Sequence, residues 1–334
     1  MDTTTVEKIK QAIEQASNVL VTTHIGPDGD ALGSLTAVGQ MLEAMGKNFD
    51  LACDDGILRK FDYLPLAKTV RRRVDTRKIY DLLIAVDCGD EHRMGYVYSK
   101  LTCEPVIINI DHHISNNNFG HINLVVADTT STAEILAKLI PMVGVPLDQG
   151  IATSLLTGMV TDTLGFRVTG VGAETLKAAG DLIAAGANLA DITLRALVLQ
   201  DISTVKMWSL GLNKMYVEDG VAWSAVSVKD QQSISDDPVS THGLGNLISD
   251  IHGVAMSAVF TEKEDGEIKV GFRSRPPWDV ATLATELGGG GHRFASGCSQ
   301  YGELEDVVAN VVAKAKAAIT EQRKALKGKG EKLL

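Results

Sequence analysis

The stretch Val106-Ile107-Ile108-Asn109-Ile110-Asp111-His112-His113 decides the fold of this chain. Its apolar, β-branched run is typical of a buried strand in a parallel sheet, and it ends in one carboxylate and two imidazoles. Open α/β sheets bind their ligands outside the carboxyl ends of such strands. An isolated Asp-His-His is equally compatible with a solvated turn, so the ends of the other predicted elements decide between the two interpretations.

Those other elements end in the same kind of residue. The predicted strand 18–23 leads directly into His24-Ile25-Gly26-Pro27-Asp28-Gly29-Asp30, and the predicted strand 82–86 ends at Asp87. The nearly all-apolar segment 151–160 is predicted to be a central helix and ends in Thr161-Asp162-Thr163. A buried, unpaired carboxylate is costly, so Asp162 needs a partner or a metal ion.

Imidazoles together with several carboxylates are the ligand set of a divalent transition metal. We expect manganese, with magnesium, cobalt and zinc as alternatives. The carboxylates are too numerous for one ion, whereas two ions about 3.5–4 Å apart could share one of them, as in enzymes that transfer phosphoryl groups to water. The residues gathered in this way are His24, Asp28, Asp30, Asp87, His112, His113 and Asp162.

The length of 334 residues predicts two α/β domains, since it exceeds one ordinary core. We expect a parallel-sheet domain over 1–190, a helical linker over 191–215, a smaller mixed α/β domain over 216–326 and a flexible tail over 327–334.

Composition narrows the functional classes. The formal net charge of −10 argues against a broad grip on long duplex nucleic acid but allows a small anion held by a local arginine cluster. No run is long enough to span a membrane, and the polar N-terminus does not resemble a signal peptide. Four cysteines without a CxxC pair predict reduced thiols. We therefore expect a cytoplasmic protein without a membrane partner.

A second group of residues, in the C-terminal half, could hold an anionic substrate. Arg273 and Arg275 alternate with Ser274, so they are predicted to share one face of a strand and to offer bidentate phosphate contacts. Four glycines, 288–291, precede His292 and expose backbone N–H groups that can approach an anion. The alternatives are a surface ion-pair strand and a simple glycine linker.

The chain resembles the DHH phosphoesterase superfamily. Its four motifs are similar, in order, to His24-Ile25-Gly26-Pro27-Asp28-Gly29-Asp30, Val86-Asp87, Asp111-His112-His113 and Thr161-Asp162-Thr163. The runs 271–275 and 288–292 resemble the DHH-associated C-terminal domain. The similarity is strongest to the compact, RecJ-like branch that contains nanoRNases and phosphatases of phosphoadenosine phosphate (pAp). Leu164-Gly165 departs from many relatives, which place a glycine directly after the motif.

This resemblance implies a role for each residue. One metal would be held by His24, Asp28 and Asp87, and the second by Asp30, Asp87, His112 and Asp162, with Asp87 bridging. His113 would face the substrate phosphate, and Asp111 would orient its neighbours. The active site would lie in a cleft between the domains, where Arg273, Arg275, Gly289, Gly290, Gly291 and His292 contact the nucleotide.

The activity implied is hydrolysis of short single-stranded RNA to mononucleotides, of pAp to AMP, or of cyclic or linear dinucleotides. The alternatives are an exopolyphosphatase or pyrophosphatase and an inactive nucleotide-sensing module. An inactive module would be expected to lack at least one of the metal-ligating residues, and none of them is missing. The oligomeric state stays open, with a homodimer as one option.

Overall fold

The computed structural model describes residues 2–235, 240–241 and 243–328 and divides into two compact units, Met1–Leu199 and Gln200–Leu334. Of the predicted tail 327–334, residues 329–334 lie outside the described part. No helix in the described part combines the length and the apolar character needed to cross a bilayer.

The first unit is built on a fully parallel sheet of five strands in the order β2-β1-β3-β4-β5. This confirms the predicted fold class of the N-terminal half. The last of these strands, Ile122–Val125, was not predicted. The strands are β1 (Val19–Thr22), β2 (Phe49–Ala52), β3 (Leu82–Val86), β4 (Val106–Asp111) and β5 (Ile122–Val125).

Helices cover both faces of this sheet, because alternate side chains of its buried strands enter two separate cores. Val19 and Val21 join one core, while Leu20 between them joins the other. The helices are α1 (Thr3–Gln15), α2 (Gly29–Ala44), α3 (Gly95–Ser99), α4 (Thr132–Met142), α5 (Gln149–Asp162), α6 (Ala173–Ala184) and α7 (Leu189–Thr193). Short 3-10 helices occupy Arg59–Phe61, Ala67–Thr69 and Glu91–Met94.

Two glycines allow close packing of α2 with α5. A Cβ atom on Gly33 would collide with the Ser154 carbonyl oxygen, and one on Gly158 would lie 2.6 Å from both Ala133 Cβ and Asp30 Oδ1. These contacts bring the first turn of α2 close to α5 and to the start of α4, and so place carboxylates from separate elements side by side.

The second unit contains a six-stranded mixed sheet in the order β10-β11-β9-β8-β7-β6, parallel only between β7 and β8. The predicted mixed α/β class is thereby confirmed. The strands are β6 (Tyr216–Glu218), β7 (Val221–Val226), β8 (Met256–Glu262), β9 (Glu267–Ser274), β10 (Gly290–His292) and β11 (Ala295–Tyr301). The helices are α8 (Ile202–Asn213), α9 (Val228–Gln232), α10 (Leu244–Ser249), α11 (Ala281–Glu286) and α12 (Leu304–Gly328).

Two helix predictions need correction. The helix expected from 191 to 215 is broken into α7, a π-helical turn at Leu194–Val198, and α8. The amphipathic pattern that begins at Leu304 predicts a last helix ending at Ile319, but α12 continues to Gly328. The added segment is rich in Gln, Arg, Lys, Ala and Leu, which are strong helix formers, and Leu326 packs against the core of the second unit.

Candidate metal centre

The centre lies where the strand order of the first unit reverses, between the neighbouring strands β1 and β3. In sheets of this order the crevice beyond the carboxyl ends of these two strands receives the ligand. Thr22 pairs with Ala85, and Val86 pairs with Ile110, so β1, β3 and β4 end side by side. The predicted residues that follow these strands therefore meet at one edge.

Asp28 and Asp30 both lie at the N-terminus of α2, but their carboxylates accept hydrogen bonds from the N-termini of two different helices, α2 and α4. Asp28 is the N-cap of α2, and its Oδ1 accepts hydrogen bonds from the backbone N–H groups of Asp30 and Ala31 at 3.0 and 3.1 Å. Asp30 is buried and accepts from the N–H groups of Thr132 and Ala133 at 2.7 and 2.9 Å. Asp30 thereby occupies the positive end of α4.

Asp87 lies between two imidazoles. Its Oδ2 atom is 3.5 Å from His24 Nε2, and its Oδ1 atom is 3.7 Å from His112 Nε2. Its φ of +57° is left-handed, a conformation that Asp adopts more readily than most residues. The buried carboxylate thus presents one oxygen toward each of two histidines, as a bridging ligand would.

The three side chains of Asp111-His112-His113 make different contacts. His112 Nε2 lies 3.5 Å from Asp162 Oδ2, at the end of α5. The neighbouring His113 turns its Nδ1 to Asp111 Oδ1 at 2.7 Å, while Asp111 Oδ2 accepts from Asn116 Nδ2 at 2.6 Å. Asp111 is fully buried and orients His113.

The pKa shifts show how strongly these groups interact. Burial by itself lowers the pKa of His113, but the hydrogen bond with Asp111 and the charge of Asp87 raise it to about 9. Burial and the nearby carboxylates raise the pKa of Asp30 and of Asp162 well above the usual range. Burial also disfavours the Asp87 carboxylate, yet its histidine neighbours hold its pKa below the usual range.

The donor atoms fit divalent cations. Three groups of three side chains could each bind a metal ion. Each side chain offers one nitrogen or oxygen ligand atom, and the ligand atoms of a group all lie within 4.8 Å of one another. Carboxylates that raise one another's pKa in this way are stabilised when positive charge is bound among them. The groups are His24, Asp28 and Asp87; Asp30, His112 and Asp162; and Asp87, His112 and His113.

Three residues near this centre were not predicted as site residues. The sequence indicates a helix cap at Thr130-Ser131-Thr132, but Thr132 also reaches the centre, because its Oγ1 donates to Asp87 Oδ1 at 3.0 Å. Arg93 Nη2 lies 3.1 Å from His24 Nδ1, and Asn116 supports Asp111. Asn116 follows the Asp111-His112-His113 motif within six residues, and Arg93 follows Asp87 within six residues. This closeness in sequence was the one available indication that they belong to the site.

The predicted substrate residues all lie in the second unit but not in one group. Arg273, Gly289 and Gly290 line a cavity of about 710 Å³. Gly291 and His292 continue into β10 and do not line it. Arg275 does not share a strand face with Arg273, because β9 ends at Ser274 and Arg275 pairs with Asp250 on the surface.

Arg273 is fixed by its neighbours. Its Nε donates to Asn246 Oδ1 at 3.0 Å and its Nη1 to the Phe272 carbonyl oxygen at 2.8 Å. Burial lowers the pKa of its guanidinium. Arg273 therefore faces the cavity in a defined orientation, whereas Arg275 is more than half exposed.

Comparisons with known proteins agree with the motifs. The bifunctional oligoribonuclease and PAP phosphatase NrnA of Thermus thermophilus is 31% identical over 89% of this chain and 88% of its own length. The cyclic-di-AMP phosphodiesterase GdpP of Geobacillus thermodenitrificans is 27% identical over 85% of this chain, which matches 45% of that protein. An exopolyphosphatase-related protein of Bacteroides fragilis has the same fold, with a TM-score of 0.86 and 23% identity over 95% and 96% of the two chains.

The fold also resembles that of RecJ from Thermus thermophilus, solved in complex with Mn²⁺, with a TM-score of 0.52 and 16% identity. That match covers 94% of this chain and 54% of RecJ. The profile of the DHH family N-terminal domain matches residues 18–159, and that of the DHHA1 domain matches residues 227–321. This chain therefore belongs to the DHH phosphoesterase family, in the form that also carries a DHHA1 domain.

Proposed function

We propose that this chain is a metal-dependent phosphoesterase that hydrolyses short oligoribonucleotides to mononucleotides and pAp to AMP. The observation that carries the proposal is the position of Asp87, whose two carboxylate oxygens face His24 and His112 separately. A carboxylate shared between two cations is the central feature of sites that transfer phosphoryl groups to water.

Two divalent ions, with Mn²⁺ as the expected metal, would occupy this centre. His24, Asp28 and Asp87 would hold one, and Asp30, Asp87, His112 and Asp162 the other. When bound, such ions supply Lewis-acid activation of the phosphate and of the attacking water. Two groups with ligand atoms within 4.8 Å of one another support this division, and Asp87 Oδ1 lies 3.7 Å from His112 Nε2; the two groups are His24, Asp28 and Asp87, and Asp30, His112 and Asp162.

The surrounding residues orient the reacting groups. Asp111 accepts the Nδ1–H of His113, so His113 can direct its Nε2–H toward a phosphate oxygen. With a pKa of about 9, His113 carries a proton at neutral pH in the metal-free site. Thr132 donates to Asp87 and restricts its rotation. The chain's own residues thus contribute orientation of the metal ligand Asp87 and a proton donor, His113, for the phosphate.

The second unit would hold the nucleotide. Arg273 offers a fixed guanidinium in the cavity, and Gly289 and Gly290 expose backbone beside it. Arg275 and His292 are weaker candidates, because neither lines the cavity. Placement of the active site in a cleft between the units stays a prediction.

The names of the relatives support a nucleotide substrate. The 31% identical NrnA is named for oligoribonuclease and PAP phosphatase activities, and a Mycoplasma genitalium protein of the same name is 25% identical over 91% of this chain. Cyclic dinucleotides are a second candidate, since two relatives are named as cyclic-di-AMP phosphodiesterases. Because these substrates arise from intracellular nucleotide turnover, we propose a cytoplasmic location. A homodimer stays a prediction.

A substrate panel tests the proposal. Purified protein with Mn²⁺ would be offered pAp, a dinucleotide, a pentanucleotide, a 24-mer, cyclic di-AMP, polyphosphate and duplex DNA at fixed ionic strength. We expect kcat/KM to be highest for pAp and for RNA of about two to five nucleotides, because the net charge of −10 opposes longer polyanions. Activity that rises steadily with length, or that is confined to polyphosphate, would refute it.

A further inference from the structure

Arg93 is an exposed cation at the edge of the metal centre. It lies in the 3-10 helix Glu91–Met94, and its carbonyl oxygen accepts from the backbone N–H of Ile25 at 2.8 Å. This bond holds the Arg93 backbone next to the loop that carries His24, and Arg93 Nη2 lies 3.1 Å from His24 Nδ1. The guanidinium is therefore placed beside one of the predicted metal ligands.

The guanidinium of Arg93 has no acidic partner within the described part of the chain. Arg77 and Arg195, which also belong to the first unit, each pair with an aspartate. Burial and the charge of Arg93 both lower the pKa of His24 and of His113, although neighbouring aspartates raise it overall. A cation that acts on both of these histidines lies near the place where the phosphate is proposed to bind.

The position of the ring hydrogen on His24 decides whether Arg93 can keep its contact. A neutral imidazole has one nitrogen that donates and one that accepts. His24 Nδ1 lies 2.9 Å from the Ile25 carbonyl oxygen and 3.1 Å from Arg93 Nη2, so it either donates to the first or accepts from the second. A histidine that ligates metal through Nε2 carries its hydrogen on Nδ1. Metal ligation by His24 Nε2 therefore excludes the hydrogen bond from Arg93.

The chemistry of Arg93 suits an anion once that hydrogen bond is lost. With the hydrogen on His24 Nδ1, the Arg93 N–H would face another donor, so the exposed side chain turns toward a different acceptor. A guanidinium stays charged and offers five N–H donors in a planar fork that matches phosphate oxygens. Arginines held beside a transferring phosphoryl group stabilise the negative charge that develops on it.

We propose that Arg93 is a catalytic residue that leaves His24 when this ring ligates a metal ion, and that it then donates to a non-bridging oxygen of the scissile phosphate. The inference rests on the proposed function. It assigns the first unit a phosphate contact of its own, which is separate from the nucleotide contacts proposed for the second unit.

Two binding measurements on the full chain distinguish this role from support of His24. Arg93→Ala removes a competitor for His24 Nδ1 and a nearby positive charge, so calorimetry should show Mn²⁺ binding at least as tight as in the wild type. The Mn²⁺-loaded variant should bind orthophosphate about tenfold more weakly than the loaded wild type. Arg93→Lys should lie between the two, because it keeps the charge without the planar fork. Arg77→Ala, at an exposed arginine that pairs with Asp75, is the matched control and should bind both ions like the wild type.

Kinetics supply a second comparison. A scissile phosphate is common to a dinucleotide and to p-nitrophenyl phosphate, so Arg93→Ala should lower kcat/KM for both by a similar factor of about ten to a hundred. Weaker Mn²⁺ binding by Arg93→Ala, unchanged orthophosphate affinity, or a loss confined to the dinucleotide would overturn the inference. A Mn²⁺-loaded wild type that hydrolyses no substrate of the panel would refute the proposed function instead, and the orthophosphate comparison would still decide whether Arg93 contacts the anion.

Discussion

Thr132 donates its hydroxyl hydrogen to Asp87 Oδ1 at 3.0 Å, and this bond ties the first residue of α4 to the carboxylate at the middle of the metal centre. Both residues are buried. A hydrogen bond of this kind orients a metal ligand without binding metal itself.

We expect Thr132→Val to lower Mn²⁺ affinity or activity by about ten- to hundredfold, since it removes the donor while keeping the shape of the side chain. Thr132→Ser keeps the hydroxyl and should stay close to the wild type. Metal titration and steady-state kinetics measure both. Equal losses in the two variants would mean that packing, and not the hydrogen bond, is what matters.

The raised pKa of Asp162 gives a pH-dependent prediction for stability. A carboxyl whose folded pKa exceeds its unfolded value binds more protons when folded, so the metal-free protein loses stability as pH rises from about 4 through the folded pKa. Asp162→Asn removes this loss. The Tm of the metal-free variant should exceed that of the wild type at pH 7, and the difference should vanish near pH 4.

Added Mn²⁺ should reverse that order at pH 7, because it binds the wild-type carboxylate more tightly than the amide. Thermal unfolding with EDTA and with Mn²⁺ makes the comparison. A metal-free Asp162→Asn that is less stable than the wild type at every pH would contradict the proposed repulsion.

Asp111 should control the protonation of His113. Its hydrogen bond and charge raise the pKa of His113 to about 9 in the metal-free protein, so Asp111→Asn should move that pKa down toward or below 6.5. NMR titration of the His113 ring follows it directly. If the pKa stays near 9, Asp87 rather than Asp111 is its main determinant.

The two arginines should differ. Arg273→Ala should weaken hydrolysis of nucleotides by about ten- to hundredfold, because it removes a charge-assisted contact, and should affect p-nitrophenyl phosphate less. Arg275→Ala loses an exposed pair with Asp250, so little change is expected. Kinetics on both substrates decide. Equal losses on both substrates for Arg273→Ala would remove the case for a separate nucleotide site.

Much of this architecture could be predicted because the buried parallel strands have a recognisable sequence pattern. Runs such as 82–86 and 106–111 are apolar and β-branched, and their polar ends mark the site edge. The metal-binding carboxylates could therefore be predicted from the sequence. The groups that hydrogen-bond to them could not. Asp30 accepts from the N–H groups of Thr132 and Ala133, which are about a hundred residues away in the chain and are brought close only by the packing of α2 against α4 and α5.

Local patterns also misled. Arg273 and Arg275 alternate like residues of one strand face, but β9 ends at Ser274, after which the chain continues into Pro276-Pro277, which cannot donate ladder hydrogen bonds.

The central claim is that Asp87 is shared by two metal ions. The most direct test is the metal content of Asp87→Asn, measured by mass spectrometry after dialysis against Mn²⁺, together with dinucleotide hydrolysis. The account predicts two ions per chain in the wild type, at most one in the variant, and no detectable turnover by the variant. A variant that keeps both ions and near-native hydrolysis would contradict it.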